Sequence, residues 1–268
     1  MRVAALQMVS GTDVQRNLDA AGQLLEQAAA QGAELAVLPE YFCLMGHRDT
    51  DKLAVQETPG EGPIQDFLAM SAREHRLWVV GGTVPLCGSQ AHHVRNSALV
   101  YSPAGQCVAR YDKIHLFRFD DGAEHYDESR VIESGSAPVT FDLASIDGHS
   151  YRIGLSICYD LRFPELYRAM KADLLLVPSA FTWTTGRAHW EVLLRARAIE
   201  NLAYVVAAAQ GGVHDNGRRT WGQSLIVDPW GQLLAQHPEG SAVVLADVHH
   251  DRLHAVRLQL PALNHGVL

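Results

Sequence analysis

Short apolar runs alternate with stretches of helical spacing along this chain. Residues 3–8 and 35–38 are almost entirely apolar, which predicts two buried strands. Between them, apolar residues recur at intervals of three and four over residues 14–28, which predicts an amphipathic helix. Thr12 or Asp13 can cap the start of that helix. This β-α-β opening is typical of an α/β protein.

The same patterns continue to the end of the chain. Helices are predicted over residues 63–75, 164–171, 189–203 and 251–260, and strands over residues 77–84, 97–101, 107–111, 153–158, 174–177, 204–209, 224–228, 232–235 and 243–248. Turn residues at 102–106 and 228–231 indicate hairpins, so we expect mixed sheets. Residues 119–135 lack periodicity and predict a long functional loop. No linker or repeat is visible, and a single domain over residues 1–268 is predicted.

Composition and charge narrow the class of protein. With 47% hydrophobic and 19% charged residues, the chain has an ordinary globular composition. A net charge of −8 disfavours nucleic acid or an anionic membrane as partner. No secretory signal or membrane span is visible. Four separated cysteines without a CxxC pair favour reduced thiols, so we expect a cytoplasmic protein. The histidine pairs at 92–93 and 249–250 lack a HExxH context, so no metal site is expected.

Three residues with reactive side chains come at the ends of predicted strands. They are Glu40, Lys113 and Cys158. Because functional sites of α/β folds gather at strand ends, these side chains can converge. A thiol can then act as nucleophile, a carboxylate can remove its proton, and an ammonium can stabilise an oxyanion.

Each of the three residues also has an ordinary structural interpretation. Cys158 can be a small buried hydrophobe, and spacing alone does not distinguish it from Cys43. Lys113 can form a solvated pair with the neighbouring Asp112. Glu40 can lie at the surface. The spacing therefore leaves the catalytic interpretation open.

Several long sequence words resemble those of the nitrilase superfamily of carbon-nitrogen hydrolases. Residues 38–42 (Leu-Pro-Glu-Tyr-Phe) resemble its general-base segment, and residues 111–116 (Tyr-Asp-Lys-Ile-His-Leu) resemble its lysine segment. Residues 154–165 (Gly-Leu-Ser-Ile-Cys-Tyr-Asp-Leu-Arg-Phe-Pro-Glu) resemble its nucleophile segment. Further similar words lie at residues 178–181, 189–201 and 227–231. The resemblance implies a four-layer α-β-β-α sandwich with mixed sheets.

The resemblance also implies a role for each site residue. Glu40 deprotonates Cys158, whose thiolate attacks an amide carbonyl and forms a thioester. Lys113 and the backbone N–H of Tyr159 hold the oxyanion. Glu128 matches a second glutamate near the substrate, although an exposed loop position is its alternative. No metal or organic cofactor is implied, and the expected assembly is a homodimer formed through helices near the nucleophile.

The resemblance is greatest to the Nit branch of the superfamily. That branch contains deaminated glutathione amidases, which release α-ketoglutarate and cysteinylglycine, and ω-amidases, which release ammonia from α-ketoglutaramate. Residues 188–200 and 207–211 are more similar to the first group. The resemblance therefore implies an amidase for a small carboxylate-bearing amide, with deaminated glutathione as the favoured substrate. The alternatives are α-ketoglutaramate and another small amide or N-carbamoyl compound.

A substrate with a carboxylate needs a cation in the site. Arg162, four residues after the predicted nucleophile, has a planar guanidinium that suits a carboxylate bidentately. Its alternative is an ion pair with Glu165 or Asp160. The two arginines at residues 218–219 are instead expected in a surface turn.

Neighbouring side chains complete the predicted pocket. Phe181 and Thr182 follow a predicted strand and are expected to line the pocket, and Tyr126 in the long loop is expected to close it. Arg195 and Arg197 lie on one helix and are expected to be structural or interface residues.

Two other classes of function compete with an amidase. A non-catalytic protein that kept the fold would be expected to lack one of Glu40, Lys113 and Cys158, and all three are present. An ammonia-fed synthetase module needs nucleotide binding, and the sequence has no GxxxxGK[ST] motif. An enzyme with a small-molecule amide substrate is the favoured interpretation.

Overall fold

Helices and strands alternate along the chain, as the hydrophobic pattern predicts. The computed structural model describes residues 1–122 and 124–267. Ala123, in the predicted loop, and Leu268, at the end of the predicted domain, lie outside the described residues. The first half contains β1 (Arg2–Gln7), α1 (Val14–Ala30), β2 (Leu35–Val37), α2 (Asp51–Ala54), α3 (Pro63–His75), β3 (Trp78–Val80), β4 (Val84–Cys87), β5 (Val94–Tyr101), β6 (Cys107–Asp112), β7 (Arg118–Asp120) and β8 (His125–Asp127). The second half contains β9 (Val139–Ala144), β10 (Ser150–Leu155), α4 (Pro164–Met170), β11 (Leu174–Leu176), α5 (Trp183–Asn201), β12 (Tyr204–Ala207), β13 (Gly211–Val213), β14 (Arg219–Trp221), β15 (Ser224–Val227), β16 (Leu233–His237), β17 (Ala242–Asp247) and α6 (His250–Gln259).

Most strands belong to two mixed sheets. The first has the order β17-β1-β2-β3-β5-β4, with β6 paired to β5, and the second has the order β16-β15-β12-β11-β10-β9. Strands β1, β2 and β3 are parallel in the first sheet, and β10, β11 and β12 are parallel in the second. The flanking strands are antiparallel. The predicted mixture of pairings is therefore confirmed.

The side chains of β2 show how the layers stack. Leu35 and Val37 point into a core shared with the second sheet, whereas Ala36 points into a core formed with α1 and α3. All three are fully buried because both faces of the sheet are covered. On the other side, α5 packs against β12 and β15, and α4 packs against α5. The predicted four-layer α-β-β-α sandwich is the observed fold. In the described part of the chain, no helix combines the length and apolar character needed to cross a membrane.

Local sequence determines where the helices begin. The Asp13 side chain accepts a hydrogen bond of 2.9 Å from the Arg16 N–H and caps α1, as predicted. Helix α3 begins at Pro63 and ends at His75, which are the predicted bounds. Helix α5 begins at Trp183, six residues before the predicted start, and Thr182 caps it by accepting from the Thr185 N–H.

Other elements differ from the pattern-based prediction. The predicted strand over residues 77–84 is divided into β3 and β4 by a bend at Gly82, which has a φ of +42°. A Cβ at this position would lie 2.0 Å from the Pro39 carbonyl oxygen, so glycine allows the bend to approach the segment that carries Glu40. The predicted loop over residues 119–135 contains part of the β7–β8 hairpin and a 3₁₀ turn, Glu128–Arg130. Short elements such as α2, β9, β13 and β14 were not predicted.

Candidate active site

The backbone at Cys158 has an unusual conformation. Strand β10 ends at Leu155, and Cys158 begins a 3₁₀ turn, Cys158–Arg162, so the predicted position at the end of a strand is wrong by three residues. The φ of Cys158 is +49°, a region that side chains with a Cβ rarely adopt. Its N–H donates to the Pro178 carbonyl at 3.0 Å, which ties the turn to the segment after β11. Strained residues of this kind cluster at functional sites.

Glu40 is fully enclosed, so its alternative interpretation as a surface residue is wrong. Its side chain is 1% exposed. One oxygen, Oε1, accepts from Lys113 Nζ at 2.8 Å and from Asn96 Nδ2 at 2.9 Å. The other, Oε2, accepts from the Ala180 N–H at 2.9 Å. These donors come from both sheets and fix the carboxylate in one orientation.

Lys113 lies between two carboxylates. Its ammonium is 2.8 Å from Glu40 Oε1 and 2.8 Å from Glu128 Oε2, and its side chain is fully buried. The alternative pair with Asp112 is not observed, because Asp112 pairs with Arg110 at 2.8 Å. Burial lowers the pKa of Lys113, but the charges of Glu128 and Glu40 outweigh it and hold that pKa well above its usual value. The two carboxylates therefore favour the charged form of Lys113.

Glu128 is held by three donors from two segments. Besides Lys113, the Tyr41 hydroxyl donates to it at 2.7 Å and the Phe117 N–H donates at 2.7 Å. Burial raises the pKa of the Glu128 carboxyl, but Lys113 and these hydrogen bonds together lower it below its usual value. Its alternative as an exposed loop glutamate is not observed, since its side chain is 15% exposed and paired.

The Cys158 thiol lies near all three charged groups. Burial raises its pKa, and the Glu40 charge raises it further, whereas Lys113 lowers it. The resulting pKa lies well above the usual value for cysteine, which favours the neutral thiol. A carboxylate beside a neutral thiol can accept its proton when the sulfur attacks, and a nearby ammonium can stabilise the negative charge that develops.

A small pocket opens beside the Cys158 sulfur. It is lined by Phe117, Cys158, Tyr159, Arg162, Ala180, Phe181, Thr182 and Thr185. Three of the predicted substrate residues, Arg162, Phe181 and Thr182, are therefore brought together with the sulfur. Tyr126 does not line this pocket but packs on Phe117, with ring centroids 5.7 Å apart.

Arg162 forms neither of its alternative ion pairs. Among the residues that the structure describes, no carboxylate pairs with it, and its Nη2 lies 3.2 Å from His189 Nδ1. Its guanidinium lies over the rings of Tyr159 and Phe181, 5.6 and 5.7 Å from their centroids. A half-buried guanidinium stacked on rings in this way is available to an anion in the pocket.

Asp160 is a site residue that sequence reasoning assigned only as a possible partner of Arg162. It is fully buried and accepts from the Tyr111 hydroxyl at 2.7 Å, the His115 N–H at 3.0 Å and the Ile157 N–H at 2.9 Å. These bonds join the turn of Cys158 to the segment that carries Lys113. An aspartate two residues after a predicted nucleophile, next to apolar neighbours, is the signal that could have indicated it.

The remaining predicted residues lie around the site. Cys43 is buried in a separate small cavity, where burial raises its pKa to about 12. Arg195 pairs with Glu191 at 3.4 Å, in agreement with a structural role. Arg197 donates to the Leu161 carbonyl at 2.7 Å and supports the nucleophile turn from α5.

Among the described residues, one group of three possible metal ligands, His149, His250 and Asp251, brings its ligand atoms within 4.8 Å of one another. These residues are at least partly exposed, and none of them lines the pocket beside Cys158.

Comparison with known proteins gives consistent matches over nearly the whole chain. Residues 2–258 match the family described as carbon-nitrogen hydrolase. A protein of Synechocystis named deaminated glutathione amidase is 42% identical over 98% of this chain and 97% of its own length. A human protein named omega-amidase is 35% identical over 97% of this chain and 92% of its own length. The structure of Saccharomyces cerevisiae Nit3, described as a member of branch 10 of the nitrilase superfamily, has a TM-score of 0.86 and 28% identity, and the match covers 97% of this chain and 94% of that chain.

Proposed function

The chain belongs to the carbon-nitrogen hydrolase family, and from that premise we propose that Cys158, Glu40 and Lys113 hydrolyse a small amide whose acyl group carries a carboxylate. Deaminated glutathione is the proposed substrate. The observation that carries the proposal is a buried Glu40–Lys113 pair, 2.8 Å apart, beside a thiol whose pocket includes Arg162, which has no carboxylate partner among the described residues.

The chemistry follows from the positions of the charged groups. Glu40 takes the proton of the Cys158 thiol as the sulfur attacks the amide carbon, and Lys113 and the Tyr159 N–H hold the oxyanion. The C–N bond then breaks, and the amine leaves with the proton from Glu40. A thioester remains on Cys158. Glu40 next removes a proton from water, which attacks the thioester, and the acid leaves as the thiol is protonated again.

Glu128 has a supporting role in this scheme. Its two oxygens hold Lys113 and the Phe117 backbone, and Phe117 lines the pocket. We propose that it positions the Lys113 ammonium toward the oxyanion. Tyr126 packs on Phe117 and supports that wall.

The choice of amide rests on Arg162 and on the relatives. A planar guanidinium binds a carboxylate bidentately, and Arg162 has no carboxylate partner among the described residues. The Synechocystis relative is named for deaminated glutathione, which carries a keto-acid carboxylate on its acyl side. The human relative named omega-amidase supports α-ketoglutaramate, which has the same acyl group, as the second candidate.

A panel of amides tests the proposal. Purified enzyme is given deaminated glutathione, α-ketoglutaramate, an N-carbamoyl amino acid and a simple nitrile, and the acid product is measured directly because only some of these release ammonia. We expect the highest kcat/KM for deaminated glutathione. A higher kcat/KM for α-ketoglutaramate would favour the second candidate, and turnover of neither keto-acid amide would contradict the proposal.

We further propose a cytoplasmic homodimer formed through α4 and α5. The exposed apolar side chains of Val192 and Ile199 on α5 and the nearby Trp230 support such an interface, since large exposed apolar groups favour association. Four free cysteines are consistent with a reducing compartment. Light scattering at micromolar concentration tests the assembly, and a mass of one chain would contradict it.

A further inference from the structure

A row of aromatic rings connects two arginines across the active-site wall. Arg162 lies over Tyr159 at 5.6 Å, and the Tyr159 ring contacts Phe117 with centroids 5.2 Å apart. Phe117 contacts Tyr126 at 5.7 Å, and the Arg218 guanidinium lies over Tyr126 at 5.1 Å. Arg162 and Arg218 therefore occupy opposite ends of the row, with the pocket residue Phe117 between them. The expectation that Arg218 lies in a simple surface turn omitted this contact.

Lys52, on α2, is a second cation near the end of the row that carries Arg218. Lys52 Nζ lies 4.7 Å from the centroid of the Tyr41 ring, and the hydroxyl of that ring donates to Glu128. The Lys52 side chain is only 12% exposed. Among the described residues, its one ionic contact is of 3.6 Å to Asp49, which is itself more than half exposed. Burial lowers the pKa of Lys52 below its usual value. The charges of Asp49 and Glu128 oppose this effect, and the charge of Arg218 adds to it.

These two cations lack a strong internal partner. No carboxylate forms an ion pair with Arg218 within residues 1–122 and 124–267. The nearby Glu128 is already engaged by Lys113, Tyr41 and the Phe117 N–H. Two partly desolvated positive charges that repel each other are stabilised when an anion binds between them.

The geometry of an amide substrate indicates which of its anionic groups can reach Lys52 and Arg218. The acyl chain and the amine lie on opposite sides of the carbonyl carbon, and that carbon must sit at Cys158. If Arg162 holds the acyl carboxylate, the amine extends toward the other end of the aromatic row. We propose that Lys52 and Arg218 form a second carboxylate-binding subsite, which recognises a carboxylate on the leaving amine of the substrate. This inference rests on the proposed function and specifies the class of substrate as an amide with a carboxylate on both sides.

Two substrates that share the same acyl group but differ in the leaving amine test the subsite. Deaminated glutathione carries a second carboxylate on its amine, at the glycine end, whereas the amine of α-ketoglutaramate is ammonia. Arg218→Gln should lower the ratio of kcat/KM for deaminated glutathione to kcat/KM for α-ketoglutaramate by about tenfold to a hundredfold, mostly through KM. Lys52→Gln should lower the ratio in the same direction. When the glycine carboxylate of deaminated glutathione is converted to an amide, kcat/KM of the wild-type enzyme should fall by the same factor relative to unmodified deaminated glutathione.

The neighbouring Arg219 provides a matched control. It stacks on Trp183 at 3.3 Å and lies 3.8 Å from Glu239, so Arg219→Gln should leave the ratio unchanged. Equal losses on both substrates, or no loss, would overturn the subsite while the proposed function stands. If wild-type enzyme turns over neither keto-acid amide, the proposed function fails and the subsite fails with it. Thermal midpoints within about 2 °C of wild type ensure that the variants compared are folded.

Discussion

Glu40 and Ala180 connect the two sheets at the active site, where Glu40 Oε2 accepts a hydrogen bond of 2.9 Å from the Ala180 N–H. Glu40 follows β2 of the first sheet, and Ala180 follows β11 of the second. Both lie beyond the carboxyl ends of parallel strands, so the pocket forms where these ends of the two sheets meet. The orientation of the proposed base is therefore determined by the packing of the sandwich.

The proposed nucleophile gives the first prediction. Cys158→Ala should lower turnover of every amide substrate by about a thousandfold or more, because no other group can form the thioester. The structural cost is small, since the substitution removes one sulfur atom from a nearly closed site. Cys43→Ala is the matched control, because Cys43 is also buried but lies in a separate cavity. Turnover by Cys158→Ala, measured by acid product, would contradict the mechanism.

Removing the charge of Glu40 should change two properties of the site in opposite directions: the thiolate fraction of Cys158 should rise, and turnover should fall. The negative charge of Glu40 raises the pKa of the Cys158 thiol. Glu40→Gln should therefore lower that pKa and increase the thiolate fraction at a given alkaline pH, while turnover falls by about 10²–10⁴-fold because the proton acceptor is lost. Thiolate absorbance is followed against pH, with Cys158→Ala as the blank. A thiol pKa that rises or does not change in Glu40→Gln would show that the two groups are not coupled.

Arg162 is predicted to recognise the acyl carboxylate. Arg162→Ala should lower kcat/KM for keto-acid amides by about tenfold to a hundredfold, which corresponds to about 1.5–3 kcal/mol for a charge-assisted pair. A neutral amide of similar size should lose much less. Arg162→Lys should recover only part of the loss, because lysine lacks the planar fork. Equal losses on charged and neutral amides would mean that Arg162 supports the fold around Cys158.

The hydrophobic pattern predicted buried strands because both faces of the sheets are covered, whereas the four-layer arrangement was implied by the family resemblance. Residues 35–38 are apolar without interruption, and the structure uses Leu35 and Val37 on one face and Ala36 on the other. A run of this kind predicts a buried strand but does not predict its end. The strand before Cys158 ends three residues early, because the Ile157 N–H donates to the Asp160 side chain and not to a neighbouring strand.

Tertiary neighbours explain what the sequence could not predict. Arg218 and Arg219 are adjacent and identical, yet one lies over Tyr126 in the active-site wall and the other over Trp183. Their partners come from segments more than thirty residues away, and no local pattern indicates them. Asp160 likewise bonds to residues more than forty positions earlier, so its role becomes visible only when the two sheets are assembled.

Glu128 gives a prediction about stability and pH. Its pKa is lowered in the folded protein, largely because Lys113 offsets the effect of burial. A lowered carboxyl pKa contributes stability that is present above the unfolded value of about 4.3 and is lost as the pH falls through the folded value. Glu128→Gln keeps the shape but removes the charge, and Lys113 still has Glu40, so the loss at neutral pH should be about 1–3 kcal/mol.

The thermal midpoint measured between pH 3 and pH 8 tests the direction of this pH dependence. Wild type should exceed Glu128→Gln by about 2–4 °C for each kcal/mol at pH 7, and the difference should shrink as the pH falls below about 4. Glu26→Gln, on the exposed face of α1, is the matched control and should follow wild type at every pH. A difference between wild type and Glu128→Gln that stays constant down to pH 3 would indicate a packing effect, because only the ionised Glu128 carboxylate can attract Lys113.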